Sequence, residues 1–174
     1  MQHSWVFAVA GSRLHAEQIV ERLRLFHLPR SDASVLLPKL QSARRAQDDP
    51  LTATRDIALS GALGWIDGLA VVTLADGAGW VAGGPLLASL QNADTAMHKV
   101  FQELGVPTPD AHQLERSLRE GNALVAARSD DSARLNAVCS LLKQSGASTV
   151  TLAEKRAASP ESGTAAVAGF PRFA

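Results

Sequence analysis

Two β-α-β units flanking a long, nearly uncharged segment predict an α+β fold for this 174-residue chain. Three observations carry that expectation. The first forty residues run apolar strand, amphipathic helix, apolar strand, and residues 122–152 repeat the order. Between them, residues 61–90 contain no Lys, Arg, Glu, His or Gln. Two such units in succession give the ferredoxin-like, split β-α-β order. The expected architecture is a ferredoxin-like core with a helical, Gly/Ala-rich insertion between its second and third strands. It places one domain at residues 1–152, the insertion at about 41–120, and a low-complexity, flexible tail at 153–174.

Residues 5–10 are apolar at every position, the pattern of a strand buried on both faces. Ser12 supplies a helix N-cap, and Ala16, Ile19, Val20, Leu23 and Phe26 recur on one helical face. Leu28-Pro29 ends that helix, and residues 34–37 form a short strand closed by Pro38. A polar linker at 41–50 leads into the insertion, which holds a helix from about 92 to 104. Thr108, Pro109 and Asp110 mark a further helix start, with cap, first-turn proline and an acid at the positive dipole end. Ala111, Leu114 and Leu118 line that helix, and Gly121 closes it. A strand at 122–127 follows. Asp130, Asp131 or Ser132 then caps a helix striped by Leu135, Val138, Cys139 and Leu142 and stopped by Gly146. Residues 148–152 are the last strand.

Seventeen basic and seventeen acidic residues cancel, which removes the electrostatic case for nucleic acid or an anionic membrane. The single cysteine, Cys139, leaves no internal disulfide and fits a reducing, cytoplasmic setting. Residues 1–15 have too short an apolar run and no basic leader for a secretory signal. Asp56, Asp67 and Asp76 interrupt the segments that approach a membrane span in length. An Asp at mid-bilayer costs roughly 2.5–3.5 kcal/mol, so a spanning helix is disfavoured.

The segments GALGW (61–65), AGGPLLASL (82–90) and LREGNALVAARSDD (118–131) resemble a bacterial general stress (heat-induced stress protein) domain family. The likeness runs over residues 3–152 and includes the Gly-Val-Pro turn at 105–107. The resemblance implies a ferredoxin-like core and a stress-linked, non-catalytic protein, and it supplies no catalytic residues. Asp67 and Asp76 stand where that family has apolar residues or Pro-Gly, and the glycine-rich stretch is shorter. Both departures weaken a membrane-embedded reading.

Candidate chemistry is sparse. Residues 69–83 place Gly77, Gly79 and Gly83 after an apolar run, as a dinucleotide fingerprint would. That fingerprint needs a glycine turn between a strand and a long helix. Gly83-Gly84-Pro85 interrupts any such helix, and a tight hairpin turn is the plainer reading. Asp67 and Asp76 could bind a cation or pair with Arg44, Arg45 or Arg55; as Asp-Gly pairs both also suit turn tips, the better reading for Asp76 and an even one for Asp67. His3, His15, His27, His98 and His112 show no metal-ligand spacing, although His98 and His112 approach if the helices around Val106-Pro107 pack as a hairpin. Cys139 on an apolar stripe reads as an inert buried thiol, and Asp130-Asp131 as a cap. Lys39, Arg44, Arg45 and Arg55 form a basic linker without interleaved aromatics, which does not make an RNA-binding face. No cofactor is implied.

The apolar segment itself is the remaining candidate. Its length suggests more apolar surface than one small sheet covers, and such a patch calls for a partner. The expected function is therefore a non-enzymatic, stress-associated module that forms a homodimer or higher homo-oligomer through the insertion. The candidate interface is Trp65, Val71, Val72, Trp80, Val81, Leu86 and Leu87, with Asp67 and Asp76 as its polar features. Two alternatives are a small-ligand sensor with an apolar pocket at the insertion, and a peripheral membrane protein anchored by Trp65 and Trp80.

Overall fold

A computed structural model of the chain describes residues 3–38, 61–66, 68–74, 79–92 and 95–154. They form a six-stranded antiparallel sheet with helices on both faces. In chain order the elements are β1 (Ser4–Ala10), α1 (Arg13–Leu25), β2 (Ala33–Pro38), β3 (Ala70–Thr73), β4 (Gly79–Gly83), α2 (Pro85–Gln91), α3 (Met97–Glu103), α4 (Thr108–Arg119), β5 (Ala123–Ser129), α5 (Ser132–Gln144) and β6 (Thr149–Ala153). Single 3₁₀ turns at Arg30–Asp32 and Gly61–Trp65 precede β2 and β3. The strand order is β3-β4-β2-β5-β1-β6. Both β1 and β2 pair antiparallel with β5, so α1 joins two parallel strands across an intervening one. α5 does the same for β5 and β6 across β1.

Period-two alternation divides the core into two layers. Val6, Ala8 and Ala10 of β1, Val35 and Leu37 of β2 and Val125 of β5 face α1 and α5. Trp5, Phe7, Val9, Leu36, Leu124 and Ala126 point to the opposite face and meet α2, α3 and α4. Phe101 of α3 docks edge-on against Phe7, with ring centroids 5.5 Å apart. Because both faces are covered, β1 shows no polar alternation, as the all-apolar sequence at 5–10 predicts.

Side-chain caps set the helix starts of the two β-α-β units. Ser12 Oγ accepts the His15 N–H at 3.1 Å, and Asp131 Oδ1 accepts the Ala133 N–H at 2.9 Å. Between Asp130, Asp131 and Ser132, the cap is Asp131.

Four local expectations differ from the structure. Phe26 does not continue the buried face of α1: the helix ends at Leu25, His27 turns the chain at φ 62°, and Phe26 is 38% exposed. Thr108 is the first residue of α4 rather than its cap, a position taken by Pro107 without a side-chain bond. The helix expected at 92–104 is shorter: Asn92 caps the end of α2, and the helix within that span, α3, begins only at Met97. Gly84-Pro85, read as a helix break, instead begins α2, since proline at the first helical position has no N–H to lose.

The Gly84 junction explains how the insertion locks onto the core. Gly84 has φ 77° and ψ −165°, a region that only glycine occupies without strain. A Cβ there would sit 2.0 Å from the Ala33 carbonyl oxygen. Ser34 Oγ, fully buried on β2, accepts the Leu86 N–H at 3.1 Å and satisfies a free donor of the α2 N-terminus.

Candidate functional site

The uncharged segment builds the far end of the sheet. Its 3₁₀ turn at Gly61–Trp65 packs on α1, where Leu63 is fully buried. β3 and β4 extend the sheet beyond β2, in the register Val71 with Val81 and Val72 with Trp80. α2 then folds over β2, β3 and β4.

Of the expected interface residues, Val72, Trp80, Val81 and Leu86 are buried in the chain's own core, at 5%, 4%, 1% and 0% exposure. Trp65, Val71 and Leu87 are half-buried. Trp65 and Val71, with Leu69, lie on the α1 side of the sheet, and Leu87 lies on the α2 side. Among the described residues, the segment's apolar side chains are thus largely covered within the protomer, Leu63, Ile66 and Val81 on the α1 side and Val72, Leu74, Trp80 and Leu86 in the second helical layer. What remains accessible is a band at the outer margin of β3, the terminal strand. Asp67 and Asp76 lie outside the described residues, as do Lys39, Arg44, Arg45 and Arg55. Trp65 and Trp80 do not act as a pair of interfacial anchors, because Trp80 is enclosed. Its Nε1 is buried with no hydrogen-bond partner among the described residues.

The chain between Thr73 and Gly79 joins two antiparallel strands. A dinucleotide fingerprint needs its glycines between a strand and a helix, so residues 69–83 have a different local topology. Beside α2, Ala88, Ser89, Asn92, Thr95, Val100, Glu103 and Leu104 line an open cleft of about 370 Å³. No described helix is long and apolar enough to cross a membrane.

A second cluster lies on α3 and α4, which pack together as a hairpin. The rings of His98 and His112 stack with centroids 4.3 Å apart and planes 27° from parallel. His98 Nδ1 is 2.6 Å from Glu115 Oε2, and the same oxygen accepts the His98 backbone N–H at 2.9 Å. Arg119 holds the other carboxylate oxygen through Nε and Nη2, at 3.1 and 2.9 Å. Burial pushes the Glu115 pKa up, but the bonds from Arg119 and His98 outweigh it and leave the carboxyl below its usual value. An ionised Glu115 only accepts, so His98 carries its proton on Nδ1 and leaves Nε2 unprotonated in the neutral ring. The approach of the two histidines follows from the turn at Val106-Pro107. Glu115 was legible only through its i, i+4 spacing to Arg119.

The other chemistry-bearing residues have structural partners. His15 Nε2 donates to the Ser145 carbonyl at 2.7 Å while Nδ1 accepts the Gly11 N–H at 3.3 Å, tying the start of α1 to the end of α5. Cys139 is half-buried against the α1-side core rather than fully enclosed. Asp130 is exposed beside the capping Asp131. No group of three or more His, Cys, Asp or Glu gathers as a metal site among the described residues. No family model, curated protein or solved structure matches the chain.

Proposed function

We propose that this chain is a non-enzymatic, stress-associated module on a ferredoxin-like split β-α-β core, which self-associates through the outer edge of β3. The order β6-β1-β5-β2, with α1 and α5 as the two crossovers, supports the core assignment. The stress link rests on the resemblance at residues 61–65, 82–90 and 118–131. Its check is the abundance of the protein after heat exposure of its native cell, which should rise.

The observation that carries the association reading is β3 itself. Among the described residues it terminates the sheet, and it consists of Ala70, Val71, Val72 and Thr73, with no charge, proline or bulge to block pairing. Half-buried Trp65 and Leu69 precede it and, with its own half-buried Val71, extend the apolar contact. An edge that pairs antiparallel with its own copy makes a closed two-fold interface, the commonest form of homo-oligomer.

Sedimentation equilibrium of the full chain and of Val71→Lys tests this. A micromolar dimer that the variant splits, with unchanged circular dichroism, is the expected result. A wild-type monomer, or a dimer indifferent to the lysine, contradicts it.

The cleft beside α2 supports a second reading, a small-ligand sensor. Its mixed polar and apolar lining suits a compact polar metabolite better than a lipid. A metabolite panel that leaves the melting temperature unchanged would dispose of that reading.

A further inference from the structure

The α3/α4 hairpin carries two imidazoles whose arrangement exceeds what helix packing requires. We propose that His98 and His112 form a two-histidine site for a divalent first-row transition metal, with Glu115 as the positioning residue behind His98.

Three features support this site. First, the Glu115 carboxylate fixes the His98 tautomer through Nδ1 and leaves Nε2 as a lone-pair donor. Metal-binding histidines commonly hold a carboxylate at the non-ligating nitrogen, which orients the ring and raises its basicity. Second, Arg119 occupies the other Glu115 oxygen, so the carboxylate supports the ring instead of competing for the ion. It also balances the charge of the acid. Third, solvent reaches both rings: the His98 side chain is 22% exposed and His112 is exposed.

Binding one ion requires one of the two stacked rings to turn. Two nitrogens about 2.0–2.1 Å from one tetrahedral ion stand roughly 3.3 Å apart. The rings stack with centroids 4.3 Å apart and planes 27° from parallel, so their in-plane lone pairs run side by side and do not yet meet at one point. His98 is held by Glu115, and the exposed His112 ring is free to rotate about its side-chain torsions and turn a nitrogen toward His98 Nε2. Water completes the coordination shell. Nitrogen donors of this kind suit Zn²⁺, Ni²⁺ and Cu²⁺ rather than Mg²⁺ or Ca²⁺.

The test titrates the full chain with Zn²⁺ by calorimetry and follows Co²⁺ by visible absorption, which reports nitrogen ligation. The expected result is one micromolar-class site. His98→Ala and His112→Ala each weaken it tenfold or more, and Glu115→Gln weakens it by a similar factor while the Co²⁺ spectrum keeps its two-nitrogen form. Because His112 is exposed, His112→Ala keeps its fold, so a loss of binding there reads on the site alone. Absence of Zn²⁺ uptake at sub-millimolar metal overturns the proposal. So does uptake that the His98→Ala/His112→Ala double variant leaves unchanged.

Discussion

Replacing Gly84 with alanine should be among the most damaging single-methyl additions available in this fold. Two costs combine at that position. Its φ of 77° and ψ of −165° place an alanine in a region essentially reserved for glycine, at about 1–3 kcal/mol. The new Cβ would also lie 2.0 Å from the Ala33 carbonyl oxygen and 2.8 Å from Ser34 Oγ. The first contact is backbone, so β2 and the start of α2 must separate, at a further 1–3 kcal/mol or so, typical of overpacking. That movement also strains the bond from the Leu86 N–H to Ser34 Oγ. A total of about 2–6 kcal/mol is a large part of the 5–15 kcal/mol that stabilises a typical domain. At roughly 2–4 °C per kcal/mol for a chain of this size, the melting temperature falls by about 4–24 °C. Two other glycines separate the costs. Gly121 has φ 98° with nothing within 4 Å, so Gly121→Ala reports strain alone. Gly11 has neither clash nor positive φ and should tolerate alanine. Urea denaturation followed by circular dichroism should rank the losses Gly84→Ala, then Gly121→Ala, then Gly11→Ala. A Gly84→Ala variant within about 0.5 kcal/mol of wild type would refute the close approach of α2 to β2, since that is the range of neutral surface changes.

Ser34→Ala leaves the Leu86 N–H buried without its acceptor and should cost about 1–3 kcal/mol in the same denaturation assay. Asp131→Ala removes the α5 cap and should cost about 1 kcal/mol, whereas Asp131→Asn should retain most of it. Glu115→Gln should cost about 1 kcal/mol at neutral pH, a figure kept low because Arg119 is half exposed to screening solvent. The Glu115 carboxyl is held below its unfolded value, so its stabilisation is complete above the ordinary carboxylate range. It is lost as the pH falls through the lowered value. Unfolding curves of wild type and Glu115→Gln should therefore converge in acid.

Local signals in the sequence located the two β-α-β units well. Ser12 and Asp131 cap because a short polar side chain precedes an apolar stripe, and Leu135, Val138 and Leu142 are buried at the expected helical spacing. Phe26 fits the same periodicity, but the chain leaves the helix one residue earlier, and periodicity carries no stop signal of its own. The insertion was harder to read for a nonlocal reason. β3 and β4 are four and five residues long, too short for alternation to stand out among glycines. Nothing local states that α2, α3 and α4 fold back across the sheet. Without that second layer, Val72, Trp80 and Leu86 look like surface awaiting a partner; with it, they are core, while Val81 is buried on the α1 side. The His98–His112 approach was legible because Val106-Pro107 implies a hairpin. Glu115 behind it depends on the relative rotation of two helices, which the sequence does not display.

Hydrogen–deuterium exchange across a dilution series tests the central claim most directly, because it reads the β3 edge and the β6 edge in one experiment. Association through β3 predicts that amides of Ala70–Thr73 exchange more slowly as concentration rises from low micromolar to sub-millimolar. Those of Thr149–Ala153, at the opposite edge, should not change. Exchange at Ala70–Thr73 that is independent of concentration, or concentration-dependent protection confined to Thr149–Ala153, would contradict the account.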